Sequence, residues 1–75
     1  MNKINSIIKN FYFLKSDDLF ILRKKLNKSQ GQMAEFLGFN DGSYICHWEK
    51  GRRQIPKHIA LLCNLIKNQI EMEKK

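Results

Sequence analysis

Ser43, Tyr44 and His47 stand in the short run Ser43-Tyr44-Ile45-Cys46-His47-Trp48-Glu49, where small polar, aromatic and imidazole groups alternate with large apolar ones. If the run is helical, Ser43 and His47 are four positions apart and share one face. A hydroxyl and an imidazole projecting from one exposed helical face can bond base edges in a DNA major groove. Ile45 and Trp48 account for the opposite face as an apolar anchor, which favours this reading over a merely solvated polar face. Tyr44 is open to two readings, a contact to phosphate or sugar and a partly buried aromatic. Cys46 beside His47 invites a metal or nucleophile reading, but no third group is placed by the sequence to orient the histidine or complete a ligand set. His58 is expected to be an exposed residue.

Positioning such a face requires neighbouring elements, and the flanking sequence supplies their signals. Ser29 is a good N-cap, Met33, Ala34 and Leu37 form an apolar stripe, and Gly38 stands where helices end. This predicts a helix of about nine residues from Ser29 to Gly38. Phe39-Asn40-Asp41-Gly42 has turn chemistry, and a second helix is expected to start between Asp41 and Ser43 and stop at Gly51. Two short amphipathic helices joined by a glycine turn are the pattern of a helix-turn-helix.

Upstream, Ser16 followed by Asp17 and Asp18 reads as a capped helix start, and Leu19, Leu22 and Leu26 then recur on one face, predicting a helix from about Asp17 to Leu26. Downstream, Pro56 suits a first helical position. Ile59, Leu62, Cys63, Ile66 and Ile70 repeat at three and four residues, predicting a long helix from about Pro56 to Met72. Residues 1–16 form a separate apolar segment, Ile4, Ile7, Ile8, Phe11, Tyr12, Phe13 and Leu14, which starts with helical spacing and ends in a run that could equally be extended. It is expected to cap the core or to make a dimer contact. The domain proper is expected over 17–70, with a frayed tail at 71–75.

Seventy-five residues make one domain, near the lower size limit for a hydrophobic core without disulfides, metal or a partner, so tight helix packing or a dimer is expected. Fourteen Lys and Arg against seven Asp and Glu give a net charge of +7, the balance of a protein that neutralises phosphates. Cys46 and Cys63 form no CxxC pair and have no useful spacing to His47 or His58, so two reduced thiols in a cytoplasmic protein are expected, with no metal and no cofactor. There is no membrane-spanning run and no secretory leader pattern. Nor is there a phosphate loop or a nucleophile–base–orienter set, so an enzyme is not expected.

With Leu22-Arg23, Ser29-Gln30, Met33-Ala34, Leu37-Gly38, Ile45, Trp48-Glu49 and Gly51 in hand, residues 17–66 resemble the Cro and phage-repressor, or XRE-like, helix-turn-helix family over some two-thirds of the chain. The resemblance implies an all-α fold, a compact four- to five-helix bundle with a lambda-repressor-like helix-turn-helix. It implies that Ala34 lets two helices cross closely and that Arg23 and Glu49 form a partly buried ion pair. Gln30 matches the family's phosphate-clamping glutamine, and Lys28, Lys50, Arg52 and Arg53 fall where the family grips the phosphodiester backbone. Gly42 joins Ser43, Tyr44 and His47 as the base-reading set. The chain has one residue more between Gly38 and Glu49 than the family's usual spacing, and counting back from Trp48-Glu49 puts it in the Phe39–Gly42 turn, where loops absorb insertions.

The expected function is that of a sequence-specific transcriptional regulator, a repressor binding a palindromic operator in double-stranded DNA as a homodimer, of phage or mobile-element type. The alternative is an antitoxin-like protein or an anti-defence-operon autoregulator whose contact with a protein partner is a main activity.

Overall fold

A capping box opens the helix that follows Ser29: the Gln32 N–H donates to Ser29 Oγ at 3.1 Å and the Ser29 N–H donates to Gln32 Oε1 at 2.9 Å. In the computed structural model, which describes residues 10–73, this helix is one of four that lie wholly among the described residues. They are α1 (Ser16–Lys25), α2 (Gln30–Phe36), α3 (Ser43–Glu49) and α4 (Lys57–Glu73). The described residues contain no strand, and the fold is all α as expected.

Lys15–Gln54 make up one compact unit, containing α1, α2 and α3. Its three helices end alike. Beyond each C-cap the next residue is left-handed, Asn27 (φ 56°), Gly38 (φ 92°) and Gly51 (φ 73°). In each case the following N–H returns to a carbonyl of the last turn: Lys28 to Arg23 at 3.2 Å, Phe39 to Ala34 at 2.8 Å and Arg52 to His47 at 2.9 Å. These are Schellman closures, which satisfy carbonyls that a helix end otherwise leaves open. Gly38 and Gly51 were legible as such stops; Asn27 fills the same place because its short polar side chain tolerates the left-handed region better than most.

The expected boundaries shift by at most two residues. Lys15, with extended backbone, is the N-cap of α1, and Ser16 is its first residue, with its hydroxyl 3.7 Å from where a Cβ on Gly51 would sit. Asp17 and Asp18 in the first turn and Arg23, Lys24 and Lys25 in the last complement the helix dipole instead of a side-chain cap. α2 has seven residues rather than nine, because Leu37 and Gly38 belong to its closure, and α3 ends at Glu49 with Lys50 and Gly51 closing it.

Leu19, Met33, Ala34 and Ile45 have no exposed surface, and Leu22, Leu37 and Trp48 complete the buried apolar set of this unit. α3 packs against both α1 and α2. Full burial of Ala34 fits a close helix crossing, where a larger side chain would hold the axes apart.

Among the described residues, the other unit comprises 10–14 and 55–73. Residues 17–70, expected as the domain proper, have members in both units. Leu14, Ile55, Ile59, Ala60 and Cys63 are buried. Of the expected apolar stripe of α4, Ile66 and Ile70 are half-buried and Leu62 is exposed. Pro56 does not enter α4 but precedes it, its carbonyl accepting from the N–H groups of Ile59 at 3.1 Å and Ala60 at 2.9 Å. The helix continues to Glu73, so residues 71–73 of the expected frayed tail are helical; 74–75 lie outside the described residues.

Within the apolar N-terminal segment, Phe11 is helical, Tyr12 is a turn and Phe13 to Lys15 have no regular structure, while residues 1–9 lie outside the described residues. The Asn64 amide donates to the Phe11 carbonyl at 2.8 Å and the Phe13 carbonyl at 2.9 Å, tying this stretch to α4.

Candidate nucleic-acid interface

Arg23 on α1 and Glu49 at the end of α3 form a two-pronged pair: Nε donates to Oε2 at 2.7 Å and Nη2 to Oε1 at 3.1 Å. The side chains are only 8% and 6% exposed. The remaining prong, Nη1, donates to the Lys28 carbonyl at 3.0 Å, so one guanidinium fixes both α3 and the α1–α2 link. Its hydrogen bond to Glu49 raises the pKa of Arg23 further above its already high ordinary value, and the cation persists throughout the accessible pH range.

The Gln30 amide joins this pair, donating from Nε2 to Glu49 Oε1 at 3.2 Å. An amide nitrogen carries two hydrogens. One is engaged here, which leaves one for an outside acceptor such as a phosphate oxygen. The link between Gln30 and Glu49 was not legible from sequence, since nothing local signals a contact between side chains 19 positions apart.

Gly42, expected among the base-reading residues, lies in close contact with α2. A Cβ built on it would lie 2.9 Å from the Gly31 nitrogen, 3.0 Å from the Gly31 Cα and 3.2 Å from the Gln30 carbonyl carbon. The turn before α3 therefore rests directly on the first turn of α2, and the missing side chain is what permits that approach. Its φ of −67° is one any residue adopts, so the constraint is steric rather than conformational.

The start of α3 is set by Asp41. Its Oδ1 accepts the Ser43 N–H at 2.9 Å and its Oδ2 accepts the Ser43 hydroxyl at 2.8 Å. These two bonds, the backbone one first, hold the carboxyl below its usual pKa. With its hydrogen given to Asp41, the Ser43 hydroxyl faces outward as an acceptor. Asp41 is the local organiser that the reading of the turn did not single out, although an Asp two residues before a helix-starting serine is a recognised local pattern.

Tyr44 is 44% exposed, yet its ring stacks obliquely on Phe39 with centroids 5.1 Å apart and lies 5.9 Å from Trp48. Phe39 and Trp48 meet edge to face at 5.4 Å. Tyr44 is thus anchored as an aromatic of the turn, with its rim in solvent. His47 is half-buried, and its Nδ1 is buried without a hydrogen-bond partner.

Around α3, Lys50, Arg52 and Arg53 are exposed. Lys28 is half-buried, with its ammonium 4.8 Å from the Phe36 ring centre, a cation–π contact that holds it near α2. Beside it lies an open concavity of about 560 Å³ lined by Arg23, Lys24, Asn27, Lys28, Gln30 and Gln32 among others. All of the expected contact residues lie in the unit Lys15–Gln54. No described helix is long and apolar enough to cross a membrane.

Comparison with known protein families, with characterised proteins and with solved structures finds no match to this chain.

Proposed function

We propose that α2, the Phe39–Gly42 turn and α3 act as a helix-turn-helix of lambda-repressor-like form in a four- to five-helix bundle, with α3 entering the major groove of double-stranded DNA. The observation that carries this reading is the Arg23–Glu49–Gln30 network, which ties the end of α3 to α1 and α2, while Ser43 and Tyr44 on α3 are exposed and His47 is half-buried. A reading helix needs this rigidity, because contacts that specify bases are short and directional. Lys28, Gln30, Lys50, Arg52 and Arg53 supply the phosphate grip that sets register without reading sequence. Ser43, Tyr44 and His47 read bases, and Gly42 holds the turn that aims them. Charge supports the same partner, at +7 for the chain.

The proposed role is that of a transcriptional repressor of phage or mobile-element type that occludes a palindromic operator as a homodimer, without cofactor or catalysis, in the cytoplasm. Two copies are needed because one α3 reaches only a few base pairs, and two-fold symmetry doubles the half-sites. Selection of binding sites from a random DNA pool tests the proposal. A symmetric consensus bound by the purified protein supports it, and a pool that never enriches refutes it.

A second reading is favoured by the other unit, where Phe13, Leu65 and Met72 are 67%, 51% and 68% exposed. Exposed apolar groups of this size suit an antitoxin-like contact with another protein. Co-purification of a stoichiometric partner that displaces DNA would favour this reading over occlusion alone.

A further inference from the structure

Among the described residues, the only buried side-chain nitrogen or oxygen without a partner is His47 Nδ1. Neutral imidazole carries one N–H and one bare nitrogen, and the hydrogen bond made by one nitrogen ordinarily decides which bears the proton. Here no such bond exists. A proton on Nδ1 would be a buried donor with nothing to receive it, whereas a bare Nδ1 leaves only a lone pair unused. Orphaned buried N–H groups are the rarer of the two in proteins, as the better-populated exception is the under-satisfied acceptor. The backbone around the ring is fixed as well, because the His47 carbonyl accepts the Arg52 N–H at 2.9 Å in the closure of α3.

We propose that His47 is held as its Nε2–H tautomer and therefore offers DNA a single hydrogen-bond donor, which selects a purine through N7. The inference rests on the DNA-binding reading above. In the major groove both purines present N7 as an acceptor, cytosine presents an amine that would meet donor with donor, and thymine O4, also an acceptor, is crowded by the neighbouring methyl group. The hydroxyl of Ser43, on the same face, has given its hydrogen to Asp41 and offers lone pairs instead. The two residues divide the face into one donor and one acceptor.

Two measurements test the proposal on the intact protein. Nitrogen chemical shifts of the His47 ring, read by NMR without DNA, report the tautomer directly; a bare Nδ1 and a protonated Nε2 are expected, and an Nδ1–H majority or an even mixture overturns the assignment. In binding-site selection, wild type should require a purine at one symmetric pair of positions where His47→Ala accepts any base. Replacing that purine by its 7-deaza analogue should weaken wild type about 2- to 10-fold, the worth of one hydrogen bond, and leave the variant unchanged. An equal consensus for both proteins, or no effect of the 7-deaza base on wild type, overturns the purine assignment. Failure of wild type to enrich any sequence instead refutes the DNA-binding reading itself, and the ring shifts still report the tautomer.

Discussion

Arg23 and Glu49 are 26 positions apart in the chain and meet in a two-pronged pair whose nearer contact is 2.7 Å. Nearly every polar atom of the pair is spoken for: Arg23 also holds the Lys28 carbonyl, and Glu49 Oε1 also accepts from Gln30. Removing one partner leaves the other charge buried, which costs about 3 to 5 kcal/mol in shielded sites. Glu49→Ala and Arg23→Ala should each lower unfolding free energy by about that amount in urea titrations, with the midpoint falling and the slope unchanged. Arg23→Lys should recover little of the loss, because an ammonium cannot reproduce the two-pronged geometry. Near-wild-type stability of either alanine variant would show that the pair is not what holds α3.

The two glycines that face each other at the turn should behave oppositely. A methyl group on Gly42 would overlap the backbone of Gly31, and overpacking against backbone costs about 1 to 3 kcal/mol, so Gly42→Ala is expected to destabilise. On Gly31 a methyl group would meet only Ser29 Oγ at 4.0 Å. Gly31→Ala, in a helix, should raise stability by up to about 1 kcal/mol through propensity. Thermal melts of the two variants, run side by side, check the pair; melting shifts of the same sign would contradict the close approach.

These results mark which parts of the molecule could be read from its residues. Gly38 and Gly51 announced two helix ends because glycine at a left-handed position is a local signal, and the apolar spacing of Met33, Ala34 and Leu37 announced the buried face of α2. Asn27 escaped notice because asparagine is common in any link, and its left-handed backbone emerges only with the closure of α1. Ser16 misled for the opposite reason. It has the chemistry of a cap, but Lys15 takes the cap position and the Ser16 hydroxyl lies beside Gly51, on an element 35 positions further along the chain. In the candidate site, Arg23 with Glu49 was legible through a family resemblance. The Gln30 link and the burial of His47 Nδ1 depend on side-chain packing that no spacing encodes.

Asp41 gives a pH prediction. Its carboxyl is held below the ordinary value by the Ser43 N–H and hydroxyl, so the folded state releases its proton more readily than the unfolded chain. A depressed folded pKa contributes stability that is present above the unfolded value of about 3.8 and is lost as pH falls through the folded one. Asp41→Ala should therefore lower stability at neutral pH and flatten the acid limb of a stability–pH curve. Parallel acid limbs in variant and wild type would remove Asp41 as the organiser of the α3 start.

Cys63 predicts the alkaline side. Burial pushes its thiol from 9.0 up to about 11, so the raised folded value stabilises the protein below pH 9.0 and that contribution fades as pH rises through about 11. Cys46 is only half-buried. A thiol-alkylating reagent at pH 8 should label Cys46 first and reach Cys63 only on unfolding, since the thiolate is the reactive form and burial denies access. Equal labelling rates in native protein, followed by mass spectrometry, would contradict this order.

Salt dependence tests the proposed phosphate grip separately from the proposed reading face. Each phosphate neutralised by a cation releases condensed counterions, so the logarithm of affinity falls against the logarithm of salt with a slope of about −0.9 per contact on duplex DNA. Lys50, Arg52 and Arg53 are exposed beside α3, with long side chains free to reach a backbone. Arg52→Ala should lower affinity for all sequences alike and make the slope shallower by about 1 per subunit, roughly 2 for a dimer. His47→Ala should leave the slope unchanged while broadening sequence preference, because a side chain that bonds a base edge and no phosphate displaces no condensed counterion. Glu49→Gln, which removes charge behind α3 rather than at its surface, should alter both affinity and folding. Fluorescence anisotropy titrations from 50 to 200 mM salt, a span of roughly the kind over which such slopes are resolved, distinguish the three. An Arg52→Ala slope equal to that of wild type would take Arg52 out of the interface, and a flattened His47→Ala slope would mean that His47 stands at the backbone and not at the bases.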